Sequence, residues 1–207
     1  MSGGIDSTYC LWQYLKKNPK KTLLVHHVRL DSPRIEQEAK AVMDVLDWCR
    51  RQGLKNFVYE ESGFSKGTVK RDLDVYVVMF MTGLILKGRK YKQLKEILIP
   101  TPKDEYERLS PVSLSRNQRR AQRIRRALIE GDDVVVKICD DVKEVRPIKD
   151  KYKIELIEEM PKDLFELTWW CRWPDDKGEP CKKCHTCKQV YSALGRLCRS
   201  EEAARRK

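Results

Sequence analysis

Between residues 22 and 60 the chain alternates short apolar runs with a long amphipathic one, and this alternation restricts the architecture more than any other feature. Residues 22–28 read as a buried strand. Pro33 opens a helix that runs to Arg51, with Ile35, Ala39, Val42, Met43 and Leu46 recurring on one side, and Gly53 is its natural stop. Residues 56–60 form a second, short strand. Strand, helix, strand, helix at this spacing means right-handed parallel crossovers, so we expect an α/β protein with a doubly wound parallel sheet. Downstream, 62–70 is a polar loop and 72–86 is a helix buried against the sheet, with Met79 and Met81 as core filler. Residues 95–99 are the next strand, stopped by Pro100 and Pro102. The loop 101–109 then lies at a strand C-terminus, where open α/β sheets bind ligands. A helix over 115–130 and a β-branched strand over 134–138 follow.

Ahead of this pattern, residues 2–8 read Ser-Gly-Gly-Ile-Asp-Ser-Thr. Gly3 and Gly4 can take backbone conformations closed to other residues, so that consecutive N–H groups converge on an anion. Ser7 and Thr8 begin a helical segment carrying Tyr9, Leu11, Trp12 and Leu15 and ended by Asn18-Pro19, and the helix start adds partial positive charge. Ser2, Gly3, Gly4, Ile5, Asp6, Ser7 and Thr8 are therefore candidate phosphate contacts, with Asp6 suited to Mg²⁺ or ribose. Such a loop ordinarily follows a buried parallel strand. Here it opens the sequence, so we expect an apolar slot in the sheet and a loop unanchored on its N-terminal side.

Lysine and arginine outnumber aspartate and glutamate by 43 to 31, and the net charge of +12 creates a field attractive to anions. Six arginines within 116–126 form either a solvated basic face or a contact for nucleic acid or another polyanion. No stretch approaches the ~20 apolar residues of a membrane span, and no charged-then-apolar leader is present, so a soluble cytoplasmic protein is expected.

Eight cysteines in such a chain argue for metal ligands and scattered packed thiols over disulfides. Cys171, Cys181, Cys184 and Cys187 are spaced C-x9-C-x2-C-x2-C. Zn²⁺ takes four tetrahedral ligands, and each C-x2-C step lets a tight turn present two thiolates to one ion. Four thiolates close the shell, which implies a structural ion. His185 competes as a ligand but is not needed. Cys10, Cys49, Cys139 and Cys198 read as ordinary packed cysteines, and at most one of His26 and His27 can face the core.

The loop at 2–8 resembles the Ser-Gly-Gly-x-Asp-Ser pyrophosphate loop of the PP-loop ATPases. Together with the cysteine group it resembles the 7-cyano-7-deazaguanine synthase family, which acts in queuosine biosynthesis. Segments between the two ends match in order. The run from Pro147 through Lys153 and Glu155 resembles the family's Pro-Leu-x-x-x-x-Lys-x-Glu-Ile-Val; Leu167-Thr168-Trp169-Trp170-Cys171 resembles its Leu-Thr-Trp-Ser-Cys; and Pro180 to Cys187 resembles its Pro-Cys-Gly-x-Cys-x-x-Cys. Two family segments are not matched: an Arg-Asn pair before the long helix, and the Gly-x-Asn-x-x-Asp run after the next strand, where only Asp104 and Tyr106 keep the acid-plus-tyrosine pattern.

The resemblance implies a PP-loop nucleotide-binding domain over 1–160 and a zinc-binding helical appendage over 161–207. It implies a C–N ligase using ATP, Mg²⁺ and Zn²⁺, in which a deazaguanine carboxylate is adenylated, ammonia displaces AMP, and a second activation dehydrates the amide to a nitrile. Asp6, Ser7 and Lys153 would be the catalytic residues, with Lys153 an added phosphate contact. A small-molecule deazaguanine and ammonia are the expected partners; a homodimer is left open. The alternatives are a PP-loop ATPase modifying tRNA or another macromolecule, and a non-catalytic, partner-binding descendant of the fold.

Overall fold

The computed structural model describes residues 1–65, 74–91, 93–94, 96–108 and 143–205. The expected helix over 115–130, the strand over 134–138 and Cys139 lie outside the described residues. In order, the elements are α1 (Ile5–Lys17), β1 (Leu23–Leu30), α2 (Ile35–Arg51), β2 (Phe57–Phe64), α3 (Asp74–Lys87), a 3-10 turn (Arg89–Tyr91), β3 (Glu96–Leu98), α4 (Lys103–Arg108), β4 (Lys143–Val145), α5 (Lys153–Glu159), α6 (Lys162–Phe165) and α7 (His185–Arg205). No helix among the described residues is long and apolar enough to cross a membrane.

The chain is a mixed α/β protein with small parallel pairings. β1 runs parallel to β2, from Leu23 opposite Phe57 to Leu30 opposite Phe64, with α2 in the connection. β3 runs parallel to β4, Ile97 opposite Glu144. Among the described residues these are two separate two-stranded sheets, not the single doubly wound sheet expected.

Local signals place most element ends. Gly53 sits at φ +77° just past α2, where a residue in the left-handed region ends the helix. Two expectations give way. The polar stretch from Ser62 has the composition of a loop, yet β2 continues to Phe64, because β1 extends to Leu30 and supplies backbone partners along its length. The 101–109 loop contains α4: Pro102 precedes it, and Asp104 and Glu105 in its first turn suit the positive end of the helix dipole.

The main core joins both ends of the sequence. Leu11, Leu15, Val42, Leu46 and Trp48 pack in one cluster with Leu156, Met160, Leu164, Phe165, Val190 and Ala193, crossing the expected 160/161 boundary. Polar ties reinforce it: the Trp48 indole donates to Asp163 at 2.6 Å, and the Tyr9 hydroxyl donates to Glu159. A smaller cluster of Val28, Leu30 and Val77, with Phe64 and Met81 against it, seats α3 on β1. α3 packs against the sheet as expected, though on one side only. Val77 and Leu86 are buried, whereas Val78 and Leu84 are exposed.

Candidate functional site

Residues 2–8 form a bracketed turn at the start of α1. Gly4 is the N-cap, and no side chain caps the helix. The N–H groups of Ile5, Asp6 and Ser7 have no carbonyl four residues back within the helix, which leaves a cluster of donors at its positive end. Gly3 sits at φ +69°, and a Cβ there would come within 2.9 Å of the Ala41 Cβ and 3.0 Å of the Val42 nitrogen. The glycine is thus required twice, for its backbone angle and for close approach to α2.

The hydroxyls close the turn on itself. Ser2 Oγ lies 3.2 Å from Ser7 Oγ, and Ser7 Oγ donates to the Gly4 carbonyl at 3.1 Å. Two candidates face elsewhere. The Ile5 side chain is 2% exposed in the core, so it can reach an anion only through its backbone, and Thr8 is fully buried with Oγ1 unpartnered. The helical period puts both on the side of α1 that packs inward.

The loop is anchored, contrary to the sequence expectation. The Met1 nitrogen donates to the His26 carbonyl, and His27 Nδ1 lies 2.8 Å from the Met1 carbonyl oxygen, so β1 holds the approach to the turn. His27 is the core-facing histidine of the pair, and burial lowers its pKa; His26 is half-buried against Ser62 Oγ at 2.9 Å. On the far side, the Trp169 N–H donates to the Gly3 carbonyl at 2.9 Å.

Lys153, expected from the sequence to reach phosphate, is 6% exposed and points at this helix start, its Nζ 3.1 Å from Asp6 Oδ2. The other Asp6 oxygen is buried without a partner. Burial raises the Asp6 pKa, the Lys153 ammonium opposes the rise, and Glu105 and Asp104 add to it. Lys153 opens α5, where Glu155 accepts the Tyr152 N–H at 2.6 Å, and the Lys153 N–H donates to Asp104 on α4. Sequence reasoning missed this role of Asp104; its signal was an acid two residues after Pro102, at a helix start.

Asp104 also lines an open cavity of about 500 Å³ between α4, α5 and α7, with Tyr152, Ile154, Lys188, Gln189 and Arg196. Gln189 Oε1 is buried there without a partner.

The four cysteines converge as their spacing predicts. The Sγ atoms of Cys171, Cys181, Cys184 and Cys187 all lie within 4.8 Å of one another, close to the ~3.8 Å edge of a tetrahedron with 2.3 Å metal–sulfur bonds. Backbone N–H groups already point at the sulfurs: Cys181 to Cys171 at 3.2 Å, Cys184 to Cys181 at 3.3 Å and Cys187 to Cys184 at 3.5 Å. The Cys184 N–H chiefly lowers the Cys181 pKa to about 6, whereas burial raises those of Cys171 and Cys187. The set could therefore hold a metal such as zinc, and His185 is not part of it. Lys182, in the turn between Cys181 and Cys184, takes φ +58°, a left-handed conformation that side chains other than glycine adopt at a cost.

Of the other cysteines, Cys10 and Cys49 are buried as expected, whereas Cys198 is exposed on α7, although its neighbour Leu197 still packs against the core. No family model, curated protein or solved structure matches the chain.

Proposed function

We propose that the chain is an ATP-dependent enzyme with a PP-loop, similar to 7-cyano-7-deazaguanine synthase, which adenylates a carboxylate on a deazaguanine-like acceptor. The observation carrying this reading is the convergence of Lys153 on Asp6 beside the uncapped start of α1. A buried cation, a carboxylate with one open valence, two serine hydroxyls and free N–H groups are the donor set a magnesium pyrophosphate requires.

In this reading Ser2, Gly3, Gly4 and Ser7, with the Ile5 backbone, hold the phosphates, and Asp6 binds Mg²⁺. ATP supplies an α-phosphorus to which the acceptor carboxylate oxygen bonds as pyrophosphate leaves; ammonia then displaces AMP to give the amide. Lys153 offsets charge on the departing group. The cavity beside Asp104 receives the acceptor: Lys188 and Arg196 suit its carboxylate, Tyr152 offers a flat face, and Asp104 and Gln189 accept N–H groups. The four cysteines hold a structural Zn²⁺ that takes no part in the reaction, since four thiolates leave no open position.

Calorimetric titration with ATP and Mg²⁺ tests the reading, followed by mass detection of amide and nitrile from 7-carboxy-7-deazaguanine and ammonia. Asp6→Ala and Ser7→Ala should each weaken binding or AMP formation roughly ten- to a hundredfold, the equivalent of losing a charge-assisted contact. Absence of binding at millimolar ATP would end the proposal.

A further inference from the structure

We propose that the cysteine centre and the phosphate loop form one mechanical unit, in which Trp169 is a positioning residue that transmits metal occupancy to Gly3 and Gly4. The inference rests on the phosphate-binding reading of the loop.

The physical links are consecutive. The Trp169 N–H holds the Gly3 carbonyl at 2.9 Å, and the Trp169 carbonyl lies 3.3 Å from where a Gly4 Cβ would stand. One peptide segment therefore touches both glycines of the turn. The Trp169 indole reaches in the opposite direction, donating from Nε1 to the Cys171 carbonyl at 2.8 Å. Cys171 is fully buried, and its sulfur receives N–H groups from Trp173 and Cys181. On its other flank Thr168 is tied to the Phe165 carbonyl through both its N–H and its hydroxyl. Residues 168–171 are thus fixed between the end of α6 and the sulfur cluster.

A metal at the cysteines closes the chain between Cys171 and Cys187, removing conformational freedom that those residues would otherwise retain. Without it, the Cys171 sulfur keeps only its hydrogen bonds, and the Trp169 segment gains freedom on the side where it clamps the loop. An anion binding to a loosened turn must then order it, and that cost appears as weaker affinity. The effect should be local, because α1, β1 and α2 remain packed on one another in the main core.

The test uses the full chain, metal-loaded and chelator-stripped, with two readouts: ATP affinity by calorimetry and hydrogen exchange of the Thr8 and Trp169 amides, which donate to the Gly4 and Gly3 carbonyls of the loop. On stripping, exchange of these amides should accelerate at least tenfold and the Kd for ATP should rise by a similar factor, while amides of Leu15 and Val25 stay protected. Trp169→Phe, which retains the cysteines but lacks the indole donor, should accelerate loop exchange even when loaded. Trp170→Phe is the control, since the Trp170 indole nitrogen is buried without a partner, and loop exchange should be unchanged. Loop exchange unchanged by stripping and by Trp169→Phe would overturn the coupling, and so would loss of protection at Leu15 and Val25, which would assign the metal to the whole fold. Failure of loaded protein to bind ATP would sink the phosphate reading alone, leaving the exchange result to decide the mechanical link.

Discussion

The Lys153–Asp6 pair carries charge in a place that solvates it poorly: the Lys153 side chain is 8% exposed and that of Asp6 26%. Replacing Lys153 with methionine leaves a carboxylate without its counter-ion, and breaking such a pair costs about 3 kcal/mol. The pH dependence has a definite sign. Burial raises the Asp6 pKa in the folded state, so the folded protein binds the proton more tightly than the unfolded chain, and stability falls as pH rises above about 4. Lys153 opposes that rise, so its loss should steepen the fall. Urea titrations of Lys153→Met should show a larger deficit at pH 7 than at pH 4; equal deficits would mean that the two groups are not electrostatically linked.

Two glycines separate backbone angle from crowding. Both Gly3 and Gly53 have positive φ, but a Cβ on Gly53 meets nothing within 4 Å, whereas one on Gly3 strikes α2. Gly53→Ala should cost about 1 kcal/mol, the left-handed penalty alone. Gly3→Ala adds the repulsion of an overpacked contact and should cost about 2–4 kcal/mol, or several degrees more in Tm for a chain of this size. Similar melting temperatures for the two variants would show that α2 yields to the loop.

At the scale of elements, the cysteines sort by what surrounds them. Cys10 on α1 and Cys49 on α2 are buried, and burial pushes their thiols up to about 12 and about 11, so little thiolate forms near neutral pH. Since thiolate is the reactive form, a water-soluble disulfide reagent should modify Cys198 before the other cysteines among the described residues on native, metal-loaded protein. Chelation should expose the cysteine set on α7 and the segment before it, with Cys181 reacting fastest of the four because its pKa is lowered to about 6. Cys10 and Cys49 should react only on unfolding; rapid native modification of either would contradict the packing of α1 on α2.

For the whole molecule, the decisive feature is the core that unites α1, α2 and β1 with α5, α6 and α7. A fragment of residues 1–160 would expose the faces that Leu164, Phe165, Val190 and Ala193 cover, and would lose the Trp48–Asp163 and Trp169–Gly3 bonds. Such a fragment should lack a cooperative thermal transition by circular dichroism. A sharp transition near that of the full chain would show that the N-terminal part carries its own sufficient core.

The sequence by itself determined what depends on near neighbours: the amphipathic period of α1 and α2, the stop at Gly53, a helix beginning within a few residues of Gly3 and Gly4, and the convergence of Cys181, Cys184 and Cys187, whose spacing is that of a turn. Each follows from backbone preferences or from side chains a few positions apart, so a short window contains the cause. What only the tertiary structure decided are contacts between distant segments. Lys153 could equally be a solvated lysine until α5 is laid beside α1, a placement fastened by Tyr9 and Glu159 from 150 positions apart. The extension of β2 through Ser62 and Gly63 depends on the length of β1, not on its own polar composition. The hold of Trp169 on Gly3 follows from where the core leaves the chain after Phe165. These placements minimise the free energy of one shared core, and no local pattern records which surfaces that core brings together.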